Sequence, residues 1–234
     1  MKRPFILAGI IGICVIITGI ILFVVFPHHA DKMPAGFFTP VIAFEFIRTP
    51  QEVFDLFGPL DSPKHQEIVK AMDLGNRIDF LYMVLYSAFL FVFCRRVALM
   101  RERKVYHLGS MLSPVILVGD FLENVQLLGI TSRLGSGDFE HQLRLLNIFT
   151  WQKWGGITLT FLILLPYFLQ GGILSRIIAA GSALAAVLAA IAFIHRGIAD
   201  EFFSLSVMVV FLLMISYSFI ITREELSGRR SISS

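Results

Sequence analysis

The chain has 234 residues, of which 56% are apolar and only 16% charged, with 23 phenylalanines and a mean hydropathy of +0.77. Its charges are crowded between long apolar blocks, a pattern that excludes an ordinary soluble domain and predicts an all-α, polytopic membrane protein. The net charge of +3 does not point to nucleic acid, because Arg95, Arg96, Arg101, Arg103 and Lys104 cluster beside apolar spans, where positive charge sets orientation and meets anionic lipid.

Runs of about 20 apolar residues are long enough to cross the hydrocarbon core. Six of them follow in order, over 4–26, 76–94, 108–130, 147–169, 173–195 and 202–221, within one transmembrane domain covering 1–234. Met1-Lys2-Arg3 before the first span looks like a signal-peptide n-region. The apolar run after it is too long for an h-region, and Pro27-His28-His29-Ala30 is a poor cleavage site, so an uncleaved anchor is expected.

The connection 27–75 is the only sizeable stretch between spans, and too short to build a core of its own. Its segment from Phe37 to Ile47 is strongly apolar yet cannot span. Thr49-Pro50-Gln51-Glu52 carries a helix start, with Thr as N-cap, Pro in the first turn and Glu three residues on, and Gly58 marks the stop. Two short amphipathic helices are expected there, lying on the outer membrane surface or capping the bundle. In the fifth span, Gly181, Ala185 and Ala189 form a small-residue stripe suited to close internal packing. Pro114 and Pro166 mark potential kinks in the third and fourth spans.

Lysine and arginine counts set orientation. With the N-terminus inside, the inner side holds Lys2, Arg3, the five residues from Arg95 to Lys104, Arg176 and the tail (222–234) residues Arg223, Arg229 and Arg230. The short outer connections hold only Arg133, Arg144 and Arg196. Both termini are therefore expected in the cytoplasm.

The chemical signal lies within the spans. Asp120, Glu123 and Asn124 share one face of the third span at i, i+3 and i+4. An Asp at the centre of a membrane helix costs about 2.5–3.5 kcal/mol on insertion scales, so such groups face a protein interior and find partners. On the second span, Asp79, Tyr82 and Tyr86 follow one stripe, with Arg77 nearer the surface. On the fourth, Thr150 and Lys153 share a stripe, flanked by Trp151 and Trp154. At a rise of about 1.5 Å per residue, Glu123 and Asn124 lie roughly 10 Å below the outer end, Asp120 one turn deeper and Lys153 roughly 9 Å down. Three helices thus deliver ionisable groups to one outer half, which predicts a shared polar pocket. Asp79, Asp120 and Glu123 outnumber Lys153, and complete ionisation would leave excess negative charge in a low-dielectric place. At least one carboxyl, Asp120 as the deepest, is expected to stay neutral near neutral pH. Glu45 in the outer connection is within reach of the pocket, but a solvated position is expected for it.

Other chemistries find little support. The six histidines sit mostly in connections or at span ends and form no ligand spacing, so neither a metal nor another cofactor is expected. Cys14 and Cys94 fall inside different spans and read as two thiols. No nucleophile elbow, P-loop or dinucleotide fingerprint is present.

The strings Ile42-Ala43-Phe44-Glu45, Asp79-Phe80-Leu81-Tyr82, Asp120-Phe121-Leu122-Glu123-Asn124 and Lys153-Trp154 resemble those of a group of small bacterial multi-pass membrane proteins with no assigned activity. The resemblance covers roughly the first four spans and implies a bacterial inner membrane. The expected function is binding or permeation of a small cationic or proton-linked solute. Asp79, Asp120, Glu123, Asn124 and Lys153 would form the site, and Arg77, Tyr82, Tyr86, Glu45 and Trp154 would surround it, with membrane lipids as the other partners. A structural or accessory membrane subunit is the first rival. An intramembrane lipid-modifying enzyme with paired carboxylates as acid and base is the second.

Overall fold

A computed structural model describes residues 5–230, with side chains through Thr222. The charged N-terminal tripeptide and the side chains of the C-terminal arginines lie outside this description, as does the end of the tail. The described residues form eight helices and no strand. Six are long and apolar enough to span a membrane: α1 (Ile6–Val25), α4 (Pro63–Arg101), α5 (Val105–Thr131), α6 (Glu140–Leu169), α7 (Ile173–Ile194) and α8 (Ile198–Arg230). Between α1 and α4 lie the short α2 (Pro40–Glu45) and α3 (Pro50–Phe57).

Each long helix packs on its sequence neighbours, and α1 closes a ring by packing on both α4 and α8. Lipid supplies no hydrophobic force between helices, so close approach depends on small residues. A Cβ on Gly12 of α1 would stand 2.7 Å from Ile215 of α8, and one on Gly156 of α6 would stand 2.6 Å from Ile116 of α5. The stripe on α7 behaves as its composition predicts: Ala185 and Ala189 are buried, and a Cβ on Gly181 would touch Val210 of α8. Both Pro114 and Pro166 remain inside their helices. Outward faces carry Ile10, Ile17, Val118, Leu159, Val187 and Met208, all exposed, as lipid contact requires.

Several helices outrun their apolar stretches. α4 begins at Pro63 rather than Asn76, α6 at Glu140 rather than Asn147, and α8 at Ile198 rather than Phe202. The extra turns of α4 are amphipathic, and His65, Ile68 and Met72 are buried beneath the connecting segment. That segment forms a cap. Phe37, Phe44, Phe46, Ile47, Val53, Leu56 and Phe57 join Leu127, Ile130, Phe139 and Leu146 in one apolar cluster, separate from the main core. The cap is thus built on the ends of α4, α5 and α6.

Local sequence shapes the cap as expected. Thr49 accepts from the Glu52 amide and the Glu52 carboxylate accepts from Thr49 N, a complete capping box. α3 ends at Gly58, whose φ of 73° is the left-handed region that suits glycine. The cap is also tied to the start of α8. Glu201 accepts from the backbone amides of Phe38 and Thr39 at 2.9 and 2.8 Å. Arg196 donates to the Phe46 carbonyl at 3.1 Å and pairs with Glu52.

Candidate functional site

The predicted intramembrane charges meet in the half of the bundle beneath the cap. Lys153 of α6 is the hub. Its Nζ lies 2.6 Å from Glu123 Oε2 and 3.6 Å from Asp120 Oδ1, both on α5, and 2.9 Å from Glu45 Oε2 at the end of α2. The ammonium also sits 5.0 Å from the centre of the Trp154 ring, a cation–π contact. Glu123 is fully buried, Asp120 is 2% exposed and Lys153 7%, so these charges compensate one another without bulk water.

The surrounding polar groups complete the arrangement. Tyr86 of α4 donates a short hydrogen bond to Asp120 Oδ2. The Thr150 hydroxyl stands 2.9 Å from Glu123 Oε1 and 3.1 Å from the Glu45 carbonyl, and has one hydrogen to give between them. Trp154 donates its indole N–H to Glu45 Oε2 at 2.9 Å. Asn124 donates to Asp79 Oδ2 at 2.7 Å, which links α5 to α4. Tyr82 is half-buried and stacks at a tilt on Tyr86, with ring centres 5.5 Å apart.

The backbone explains how α5 and α6 come so close. A Cβ on Gly119, the residue before Asp120, would stand 3.1 Å from the Lys153 amide nitrogen and 3.0 Å from Gln152 Cγ. With hydrogen in its place, the carboxylate of the next residue reaches the lysine across the helix interface.

Most of the expected residues converge: Asp79, Tyr82, Tyr86, Asp120, Glu123, Asn124, Lys153 and Trp154 occupy one region. Two placements differ from expectation. Glu45, expected in solvent, is instead a direct ion partner of Lys153. The apolar segment carrying it folds into α2 and buries against the bundle, which carries the carboxylate inward. Arg77 is exposed, and no ion pair joins it to the cluster among the described residues. It sits above Asp79 on the outward side of α4. Among the described residues no group of three or more His, Cys, Asp and Glu is arranged to hold a metal ion.

Two pairings went unread in the sequence. Arg196–Glu52 and Glu201 with the Phe38 and Thr39 amides anchor the cap to α8. Nothing near Glu201 in the chain signals its role, because its partners lie in the distant segment just before α2. Comparisons with family models, with curated proteins and with solved structures find no match for this chain.

Proposed function

We propose that this multi-pass protein binds or passes a proton-linked or small cationic solute at the Lys153 cluster. Asp120 and Glu123 are the groups that take the proton or cation, and Lys153 is their internal counter-ion. The observation that carries this reading is one buried ammonium on α6 shared by two carboxylates of α5 and one of the cap. Glu45, Asp79, Asp120 and Glu123 supply four acidic groups against that single cation. A buried surplus of like charge is stable only when protons or a cation offset it. On α4, the helix that carries Asp79 and Tyr86, polar capacity is not used up: Asn76 Nδ2 and Ser87 Oγ are buried without a hydrogen-bond partner among the described residues. Buried unsatisfied groups of this kind are rare and call for an explanation.

The reading places the cap outside, both termini in the cytoplasm and the bundle in a bacterial inner membrane. Glu45 then stands between the exterior and the deeper acids, and access requires it to leave Lys153. The test is proton or cation uptake by vesicles holding the purified protein, followed with an internal pH dye. Asp120→Asn and Glu123→Gln are expected to abolish pH-dependent uptake while the protein still inserts and folds. Undiminished uptake in both variants overturns the proposal.

One observation favours a second reading. Because Glu45 ties the cap to α6, the cluster also acts as a staple, as in a structural or accessory subunit. Wild-type vesicles without flux, together with loss of folding in the neutral variants, would select that role.

A further inference from the structure

A separate feature lies at the cap end, where α3 begins beside the start of α6. A groove of about 440 Å³ is lined by Arg48, Pro50, Glu140, Leu143, Arg144 and Asn147. Arg48 and Arg144 are exposed, and neither guanidinium has an ion pair or hydrogen bond among the described residues. Glu140 and Arg144 stand at i and i+4 on α6, yet no ion pair joins them there. Two arginines lining one concavity supply guanidiniums, whose forked donors are suited to phosphate oxygens. Glu140 adds one negative charge to the same wall, and Asn147 adds an amide that donates and accepts.

The level of the groove matters as much as its charge. Just below Asn147, Ile148 projects outward and is 59% exposed, so the apolar, lipid-facing surface of α6 begins there. The groove therefore sits where phospholipid headgroups lie, with Leu143 and Pro50 as its apolar wall.

We propose that this groove binds a phosphate group that carries a primary ammonium, as in a phosphoethanolamine headgroup. Arg48 and Arg144 hold the phosphate, and Glu140 accepts from the ammonium. The site is distinct from the Lys153 cluster and does not depend on the uptake reading. Arg48 lies three residues beyond Glu45, and Asn147 one turn above Thr150, so an occupied groove borders the cap where Glu45 enters the bundle.

The experiment takes the intact protein from nanodiscs of mixed phosphatidylethanolamine and phosphatidylcholine and reads retained lipid by native mass spectrometry. Wild type is expected to retain the ethanolamine lipid in preference to the choline lipid. The R48Q/R144Q double variant is expected to retain it at least tenfold less, and E140Q to hold both lipids equally. These side chains are exposed and make no ion pair or side-chain hydrogen bond among the described residues, so the variants should fold, and R144K serves as a charge-preserving control with partial retention. Binding of free phosphoethanolamine in detergent distinguishes the source: affinity equal to the lipid's assigns the groove to a soluble phosphoamine, and weaker binding assigns it to the lipid. Equal retention by wild type and R48Q/R144Q, or no preference for ethanolamine over choline, overturns the proposal.

Discussion

The two halves of the bundle are held together by different physics. Away from the cap, Phe5, Phe93, Phe168 and Tyr217 interlock with ring centres 5.0–6.2 Å apart. Arg101 lies over Tyr167, 5.2 Å from its ring centre. Such contacts are individually weak and tolerate small shifts. Beneath the cap, Lys153, its three carboxylates, Tyr86 and Thr150 form short, directional contacts that hold only at one register. Aromatic packing makes the bundle dense, whereas the ion cluster fixes how α2, α4, α5 and α6 are aligned. Under the proposed function, the cluster is accordingly the half that a solute or proton would switch.

The comparison breaks most sharply at its hub. Lys153→Met strips the counter-ion from buried carboxylates, and removing one partner of a buried ion network costs about 3–5 kcal/mol. Reversible unfolding in mixed micelles, followed by circular dichroism, should show the largest loss of any single replacement here. Phe93→Ala tests the other half. In a soluble core a Phe→Ala change costs about 3–5 kcal/mol, but between membrane helices the hydrophobic transfer part is missing. The loss is therefore expected to fall below that of Lys153→Met, and an equal or larger loss would reverse the ranking of the two halves.

Smaller effects are confined to the cap. Thr49→Ala removes the N-cap of α3 and should cost about 1 kcal/mol, read as faster hydrogen exchange over Pro50–Phe57 with the spans unchanged. Acid acts on the same helix. Burial pushes the Glu52 carboxyl up, but the Arg196 guanidinium and the Arg48 and Thr49 amides outweigh it and hold it below its ordinary value of 4.5. A carboxyl lowered on folding stabilises the cap above its unfolded value, and that contribution fades as pH falls through the lower folded value. Exchange in α3, corrected for intrinsic rate, should stay level from neutral pH to about 4.5 and rise only below it.

Asp79, Asp120 and Lys153 could be brought to one depth from sequence because a membrane helix converts residue count into height. Thr49, Glu52 and Gly58 were legible for a similar reason: capping and turn chemistry act within a few residues. Glu45 was not legible. Its neighbours read as an interfacial amphipathic segment, and nothing local says which way that segment tips. Glu201, which holds the Phe38 and Thr39 amides, and Arg196, which holds the Phe46 carbonyl, lie far along the chain. The groove of Arg48 and Arg144 was hidden likewise, since each arginine alone reads as ordinary outer charge.

Hydropathy and helix periodicity were enough to establish a six-span helical protein with acids and a lysine in one layer, because burying a charge in hydrocarbon constrains each helix separately. Three-dimensional packing settled which partners those charges took. It seated the cap through contacts between remote segments, drove Glu45 onto Lys153 and left two arginines facing one groove, since only the folded ring brings the ends of α2, α6 and α8 together.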